Sequence, residues 1–328
     1  MNDLVTIGIP IYNVEKYVER ALLSALNQTY PYIEYILVDD KGTDRSMEIV
    51  EKIAKTHPRG SEIKIIDHVI NRSQGVTRNT CIDIATGKYL FFMDSDDEIT
   101  PDCIEVLYHE AMRTNADVVG ASMEHIFKNQ TVLERWTDRV WQGKEQVILS
   151  FFGQIPSYNT NNLYNLSFLK ENKLRIDVNT IEDITFSFRI VLKATTIAAI
   201  SKITYKYYKN EDGVTAGGNW NEKIYKSWMD VFREEKKLME ETALPEALKI
   251  KVEKKLFAQR LIIANYALKS KYNVQHYIQD YLSPEFIGKN RWKNITLLAF
   301  YLFSKMPLWV KKMCIPLLIK VKNNIKKE

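Results

Sequence analysis

The segment VTIGIPIYN at residues 5–13 opens with a short β-branched apolar run and closes with polar and turn-forming residues. This pattern predicts a buried strand that ends in a loop. A second segment, KYLFFMDSDD at residues 88–97, has the same order, with an apolar run followed by carboxylates. Strand-like and helix-like segments alternate between these two and onward to residue 120. We therefore predict an α/β fold whose mostly parallel sheet is covered by helices on both faces.

Nine elements make up this alternation. The predicted strands are Val5–Pro10, Tyr35–Val38, Ile63–Ile66, Lys88–Met93 and Asp117–Gly120, and the predicted helices are Val14–Leu26, Ser46–Ala54, Gln74–Ala85 and Pro101–Thr114. Sheets of this kind bind ligands beyond the carboxyl ends of their strands. Three polar segments fall there, at residues 10–13, 39–40 and 94–97. The sequence thus predicts a functional site at this edge of the sheet.

Charge is distributed unevenly along the 328 residues, whose net charge is +5. Residues 291–328 contain nine Lys or Arg and one acid, a net of +8, so residues 1–290 sum to −3. Because the basic residues are confined to one apolar segment, nucleic acid is disfavoured as a partner.

Several features bear on location. The three cysteines are widely spaced and form no CxxC motif, which favours a reducing compartment. The N-terminal segment MNDLVTIGIP lacks the basic region of a signal peptide. No run of 18 apolar residues occurs, so no conventional spanning helix is predicted. We expect a cytoplasmic protein.

Asp94 and Asp96 are the strongest candidates for a metal site. Carboxylates at i and i+2 after a buried strand suit Mg²⁺ or Mn²⁺, which prefer oxygen ligands and bridge to substrate phosphates. The competing interpretation is an acidic turn in which Asp96 or Asp97 caps the next helix.

Two further candidates lie on neighbouring segments. Arg78, in QGVTRN at residues 74–79, follows a glycine near a helix start and could pair with phosphate. Its alternative is a surface salt bridge. Asp39 could accept a hydrogen bond from a nucleobase or ribose, and its alternative is a turn residue bonded to local backbone.

Glu182 and Asp183 open an apolar helical segment. Acids in the first turn complement the helix dipole, which is the simpler interpretation from spacing alone. The functional alternative is a general base that deprotonates an alcohol. The five histidines show no metal-ligand spacing, and neither GxGxxG after the first strand nor GxxxxGK[ST] occurs, so dinucleotide and P-loop sites are disfavoured.

Taken together, the segments at residues 5–50, 71–101 and 162–190 resemble family 2 glycosyltransferases with the GT-A fold. The resemblance implies inverting transfer of a sugar from a nucleotide-diphosphate donor, by family habit UDP-linked. The implied acceptor is a hydroxyl of a glycan or lipid-linked molecule in bacterial surface-polysaccharide synthesis. One departure is Lys41-Gly42-Thr43-Asp44, where many relatives have Gly-Ser-Thr-Asp.

The resemblance also implies a role for each candidate residue, position by position. Pro10, Tyr12 and Asp39 would line the nucleoside pocket, Arg78 would contact the diphosphate, Asp94 would lie near the ribose, Asp96 would hold a divalent metal (Mn²⁺ or Mg²⁺), and Asp183 would be the catalytic base.

The predicted domains follow from these patterns. Residues 1–220 would form the catalytic domain, with a nucleotide-binding half (1–120) and an acceptor half (121–220), and 221–328 a helical region. Residues 210–219 suit a lid over the diphosphate, or equally a connector. Two other functions stay open: a nucleotidyltransferase, or a non-catalytic adaptor in glycan assembly. The sequence does not fix the oligomeric state, and an oligomer is possible.

The basic tail, Ile295–Val321, carries apolar runs interrupted by lysines and by Pro307 and Pro316. We predict amphipathic helices in a membrane interface, with Tyr301 and Trp309 at headgroup depth and lysines facing anionic lipid. This would make the protein peripheral on the inner face of the cell membrane, through residues 291–328. The alternative is a helix pair packed on protein.

Overall fold

The computed structural model describes residues 3–154, 157–177, 181–209, 222–270, 273–287 and 295–325. The predicted lid at residues 210–219 therefore lies outside the described residues. The chain divides into two compact units, Met1–Val178 with Glu182–Ala216, and Asn179–Ile181 with Gly217–Glu328. The strands all belong to the first unit.

Within the described residues, ten strands form one sheet. They are β1 (Val5–Ile11), β2 (Ile33–Asp39), β3 (Ile63–Asp67), β4 (Tyr89–Phe92), β5 (Glu98–Ile99), β6 (Val118–Phe127), β7 (Gln130–Glu134), β8 (Arg139–Gln142), β9 (Asn162–Asn165) and β10 (Thr196–Tyr208). The order across the sheet is β3-β2-β1-β4-β9-β6-β10-β5, and β7 and β8 pair with β6 and β10.

Seven helices accompany the sheet in the first unit. They are α1 (Val18–Leu26), α2 (Ser46–Thr56), α3 (Gln74–Ile84), α4 (Cys103–Thr114), α5 (Lys144–Ser150), α6 (Leu166–Glu171) and α7 (Glu182–Lys193). The α/β class and the helical covering of the sheet are as predicted. Helix α1 begins four residues later than predicted, because Asn13 has a positive φ of 51° and residues 15–17 form a turn.

The parallel part of the sheet comprises β3, β2, β1 and β4, and β1 is its centre. All seven residues of β1 are buried, which explains its continuous apolar sequence. Pro10 is tolerated because the β1–β4 pairing ends at Gly8 and Phe92, so no ladder bond to β4 is lost there.

The whole sheet is mixed, because strands that the sequence did not predict join it in the antiparallel direction. Strand β9 lies antiparallel between β4 and β6, and β5, β7 and β8 are also antiparallel to their partners. Since β9 reverses direction on both sides, β6 and its parallel partner β10 run the same way as β4. The carboxyl ends of β1, β2, β4, β6 and β10 consequently share one edge of the sheet.

The second unit is helical, with α8 (Glu222–Glu241), α9 (Glu246–Lys269), α10 (Tyr277–Tyr281), α11 (Ile295–Ser304) and α12 (Leu308–Ile325). Among the described helices, none combines the length and apolar character needed to cross a bilayer. Two helices cover the predicted amphipathic segment, and Pro316 lies inside α12. Lys311 is buried and donates to Gln279 Oε1 over 3.0 Å, so this lysine does not face lipid as predicted.

Candidate active site

The loop after β1 supplies two of the predicted residues. Pro10 is buried in the strand, whereas Tyr12 just beyond it is 48% exposed. Asn13 fixes this loop against the one that follows β2, because its Oδ1 accepts the Thr43 N–H at 2.7 Å. A half-exposed aromatic ring thus stands at the carboxyl end of the central strand.

Asp39 and Asp40 end β2 and have different surroundings. Asp39 Oδ1 accepts the N–H groups of Lys41 and Gly42 at 3.0 and 3.3 Å, which is the local turn that its alternative interpretation described. In the described part of the chain, all hydrogen bonds of this carboxylate fall on Oδ1. Asp40 is buried and its Oδ1 lies 2.7 Å from His68 Nδ1.

Asp40 also orients the start of α3. Its two carboxylate oxygens accept the N–H groups of Arg72 and Ser73, at 2.9 and 3.0 Å. Ser73 has φ 80° and ψ 156°, a conformation that is strained for any residue other than glycine. Such strain persists only where surrounding contacts fix the backbone, and here the two hydrogen bonds to Asp40 do so.

Gly75 allows a close approach, but to protein. A Cβ on Gly75 would lie 2.1 Å from the Asp177 carbonyl oxygen. Helix α3 can therefore pack tightly against the segment that leads towards α7.

Arg78 is almost fully buried and bridges two acids. Its Nη2 lies 2.5 Å from Asp94 Oδ1, and its Nη1 lies 3.3 Å from Glu182 Oε1. Burial alone would lower the pKa of Arg78, but the Asp94 and Glu182 carboxylates reverse that effect and raise it. The exposed salt bridge that was the alternative for Arg78 is therefore wrong, since the guanidinium joins two sequence motifs inside the site.

The DSDD segment places its three carboxylates differently. Asp94 accepts from Arg78 and also from Gln74 Nε2 at 3.0 Å. Asp96 is half-buried, and its backbone carbonyl accepts from Arg20 Nη2 at 2.7 Å. Asp97 is fully buried, so it does not cap the next helix as its alternative interpretation proposed.

Asp97 instead anchors the segment to β10. Its Oδ2 accepts the Tyr205 hydroxyl at 2.8 Å and its Oδ1 accepts the Tyr208 N–H at 2.8 Å. Burial, followed by the Asp94 and Asp96 carboxylates, raises the pKa of Asp97 well above its usual range. Three carboxylates within four residues concentrate negative charge at this end of β4.

Glu182 and Asp183 occupy the first turn of α7. Burial raises the pKa of Glu182, although Arg78 acts in the opposite sense. Burial, and after it the neighbouring Glu182 carboxylate, raises the pKa of Asp183 to about 6. Asp183 is thus poised to be ionised at neutral pH while still able to accept a proton, as a general base requires.

The structure brings Arg78, Asp94 and Glu182 into direct contact, with Asp96 and Asp183 as their neighbours in sequence. Pro10, Tyr12 and Asp39 lie at the ends of β1 and β2 on the same edge of the sheet. In the part of the chain that the structure describes, no group of three or more His, Cys, Asp or Glu side chains could hold a metal by itself.

Sequence reasoning missed Asp40, His68 and Tyr205 as supporting residues. Asp40 and His68 are both buried polar residues at strand ends, a combination that signals pairing, but their partnership was not readable from spacing. Tyr205 lies on a strand that the sequence analysis did not predict, more than 100 residues from Asp97.

A family model for glycosyl transferase family 2 matches residues 6–175, which is just over half of the chain. The chain therefore belongs to this family.

Individual relatives agree with this assignment. EpsH of Bacillus subtilis, which is named as a glycosyltransferase, is 32% identical over 213 residues, 62% of this chain and 60% of EpsH. A poly(ribitol-phosphate) beta-glucosyltransferase of Bacillus spizizenii is 29% identical over 214 residues, 64% of this chain and 33% of that protein. The match thus spans less than two thirds of each of these relatives.

Among solved structures, S. aureus TarS 1–349 in complex with UDP-GlcNAc superposes with a TM-score of 0.70. The two are 21% identical, and the match covers 95% of this chain and 89% of the TarS chain. At this identity the likeness establishes the fold alone, which is the GT-A fold.

Proposed function

We propose that this protein is an inverting glycosyltransferase. It transfers a sugar from a UDP-linked donor to a hydroxyl of a glycan or lipid-linked acceptor in bacterial polysaccharide synthesis. Family membership supports the reaction class, and the resemblance to TarS, which was crystallised with UDP-GlcNAc, supports a UDP-linked donor.

One observation carries the proposal. Arg78 joins Asp94, at the end of β4, to Glu182, at the start of α7, so that Asp183 is held beside the acidic segment. A sugar whose diphosphate lies at Asp94 and Asp96 would then have its anomeric carbon near a base with a pKa of about 6. The hydroxyl must attack that carbon from one face while the diphosphate departs from the other. Asp183 would serve the attacking hydroxyl, and the acidic segment with Arg78 would serve the departing diphosphate.

The nucleoside would occupy the carboxyl ends of β1 and β2. Tyr12 offers a half-exposed ring on which a base can stack, and Pro10 shapes the floor. Asp39 keeps its Oδ1 in the local turn, which leaves the other carboxylate oxygen to accept from a uracil imide.

The residues at Asp94–Asp97 fit a divalent cation. Burial, and after it the Asp94 and Asp96 carboxylates, raise the pKa of Asp97, and a bound cation would offset the repulsion between these carboxylates. Mg²⁺ and Mn²⁺ are commonly held by one or two carboxylates together with substrate phosphates and water, so few protein ligands are needed. Asp96, with Asp94 beside it, would hold the ion, which would supply charge opposite the departing phosphate.

The chain's own residues then account for the transfer. Asp183 takes the proton of the acceptor hydroxyl as its oxygen bonds to the anomeric carbon. The bond from that carbon to the diphosphate oxygen breaks on the opposite face, giving inversion. Arg78 could exchange its contact with Asp94 for the diphosphate and so stabilise the charge that develops there.

The test is release of UDP from a panel of UDP-sugars, with and without Mn²⁺, by the wild type and by Asp96→Ala and Asp183→Asn. We expect metal-dependent release by the wild type that both substitutions abolish, with UDP binding kept in Asp183→Asn. UDP release that is unchanged in both variants would overturn the roles of Asp96 and Asp183. A wild type that neither binds nor cleaves any donor would favour a non-catalytic adaptor.

The C-terminal helices support a second proposal, that this region binds the membrane surface. Large apolar side chains stand exposed in this region: Leu302 on α11, Met306 in the turn after it, and Trp309, Met313 and Leu317 at four-residue spacing on α12. We call this set the apolar stripe. Exposed Lys305 lies next to it, over the ring of Tyr301. Apolar side chains flanked by lysine suit an interface of anionic lipid.

Flotation of the full chain with vesicles tests this proposal. We expect co-flotation with phosphatidylglycerol-containing vesicles and weaker binding to pure phosphatidylcholine. The double substitution Trp309→Ser and Leu317→Ser should abolish flotation, whereas Tyr266→Ser, at a half-exposed aromatic residue on α9, should not. Equal loss in all variants, or none, would exclude the stripe as the lipid contact.

A further inference from the structure

A second cluster of polar side chains lies at the same edge of the sheet as the DSDD segment. His125 is near the carboxyl end of β6, and Glu134 ends β7. Tyr158 comes from the loop before β9. We call these three residues, which come from separate elements, the sugar cluster. None of them takes part in the roles proposed above for Asp94, Asp96 and Asp183.

One carboxylate organises the sugar cluster. Glu134 Oε2 accepts the Tyr158 hydroxyl at 3.0 Å and lies 2.8 Å from His125 Nε2. Within the described residues, every hydrogen bond of this carboxylate falls on Oε2. Glu134 Oε1 is thus held in a fixed position by two donors that use the other oxygen, which is how a binding group is preorganised.

The cluster is accessible to a ligand. The side chains of Glu134 and His125 keep 28% and 21% of their surface exposed. A ligand can therefore reach both side chains.

Two connections tie the cluster to the reacting groups. Burial, and then the carboxylates of Glu134 and Asp183, raise the pKa of Tyr158, so the field of Asp183 reaches the Tyr158 hydroxyl. His125 also packs edge-on against Tyr207, with the two ring centroids 5.4 Å apart. Tyr207 is two residues along β10 from Tyr205, whose hydroxyl donates to Asp97. The cluster therefore adjoins both the base and the acidic segment.

We propose that His125, Glu134 and Tyr158 bind hydroxyl groups of the donor sugar and select which sugar is transferred. The inference rests on the proposed function, since it assigns residues to the sugar of that donor. The donor sugar must reach from the diphosphate at Asp94 and Asp96 to Asp183. Glu134 Oε1 would accept a hydrogen bond from a sugar hydroxyl.

The test compares the sugar with the nucleotide alone. Hydrolysis of the donor, with water in place of the acceptor, would be followed by release of UDP. The donors are UDP-glucose, UDP-galactose, UDP-GlcNAc and UDP-GalNAc, each with Mn²⁺, and the Kd for UDP would be measured alongside. In Glu134→Gln and Tyr158→Phe we expect kcat/KM for the preferred donor to fall about tenfold or more, the loss of one hydrogen bond to a charged group. The Kd for UDP should stay within about twofold, and the preference among the four donors should narrow.

Matched controls are available elsewhere in the first unit. Tyr89→Phe removes a hydroxyl whose partner is Met112 Sδ, and Glu110→Gln alters an exposed pair with Arg113. Both should leave all parameters unchanged. If Glu134→Gln also loses UDP binding, it has misfolded and Tyr158→Phe, which removes only one hydroxyl, decides.

The outcomes are distinct. Variants that keep the wild-type kcat/KM and donor preference overturn the sugar cluster, while wild-type UDP release upholds the proposed function. A wild type that releases no UDP from any donor contradicts the proposed function itself.

Discussion

The Tyr205 hydroxyl donates to Asp97 Oδ2 at 2.8 Å and accepts the Asp94 N–H at 3.1 Å. One hydroxyl on β10 therefore fixes both ends of the DSDD segment. Asp96 lies between the two anchored residues, so its position depends on a strand more than 100 residues away in sequence. Buried polar contacts of this kind are worth more in orienting neighbours than in net stability.

Replacing Tyr205 with Phe should weaken both the fold and the donor site. The change removes the partner of Asp97 Oδ2 and of the Asp94 N–H, while the Tyr208 N–H still donates to Asp97 Oδ1. Loss of these two hydrogen bonds should cost about 1–3 kcal/mol of unfolding free energy. Urea unfolding measures that loss, and calorimetry with UDP and Mn²⁺ should show weaker binding. Tyr89→Phe is the control, and equal UDP affinity in both variants would mean that Tyr205 does not position the metal-binding residues.

The raised pKa of Asp183 predicts the pH dependence of the reaction. Since the base must be ionised, the rate of UDP release should rise with pH through about 6 and level off near neutrality. Asp183→Asn should lower the rate by at least about a hundredfold near neutrality, and by a smaller factor below pH 6, where the wild-type base is protonated. A rate that is flat between pH 5 and 8, under conditions where UDP binding is constant, would assign the base to another residue.

The same shift has the opposite consequence for stability. Because the folded pKa of Asp183 lies above its ordinary value, the fold favours the protonated form, and stability is lost as pH rises from about 4 to about 6. Asp183→Asn should therefore raise the Tm at pH 8 and change it little at pH 4. Asp138 provides a control of opposite sign, since the Ser201 N–H lowers its pKa and Asp138→Asn should lower the Tm at pH 8. A lower Tm for Asp183→Asn at pH 8 would contradict this reading.

The sequence predicted the part of the fold in which local pattern and tertiary role coincide. Strands β1 to β4 are short apolar runs because both faces of the sheet are covered, and the helices between them show 3.6-residue periodicity. The GT-A fold and the family were therefore accessible from residues 5–101. Strand β9 was not, because NLYN is four residues long, polar at both ends, and a strand only through its partners β4 and β6.

The candidate site was likewise predictable where residue type alone decides, and not where distant residues meet. The residue types at Asp94, Asp96 and Asp183 indicated their chemistry, and the assigned roles remain predictions. What could not be read was which side chains meet, such as Arg78 with Glu182 across 104 positions, or Asp40 with His68. These contacts depend on sheet order and direction, which a mixed sheet changes and which periodicity does not encode.

Strain at Ser73 gives the last prediction. Its φ of 80° with ψ of 156° belongs to a region that is favourable only for glycine, and costs about 1–3 kcal/mol for other residues. The Ser73 hydroxyl has no partner among the described residues, while its N–H to Asp40 Oδ2 would survive the loss of the side chain. Ser73→Gly should therefore raise the unfolding free energy by about 1 kcal/mol in urea, even after the greater freedom of glycine in the unfolded chain is counted.

Ser73→Ala removes the hydroxyl but keeps the Cβ and so the strain, and its unfolding free energy should stay close to that of the wild type. A Gly variant that is no more stable than the Ala variant would mean that the loop relaxes in solution, and that Asp40 does not hold Ser73 in this conformation.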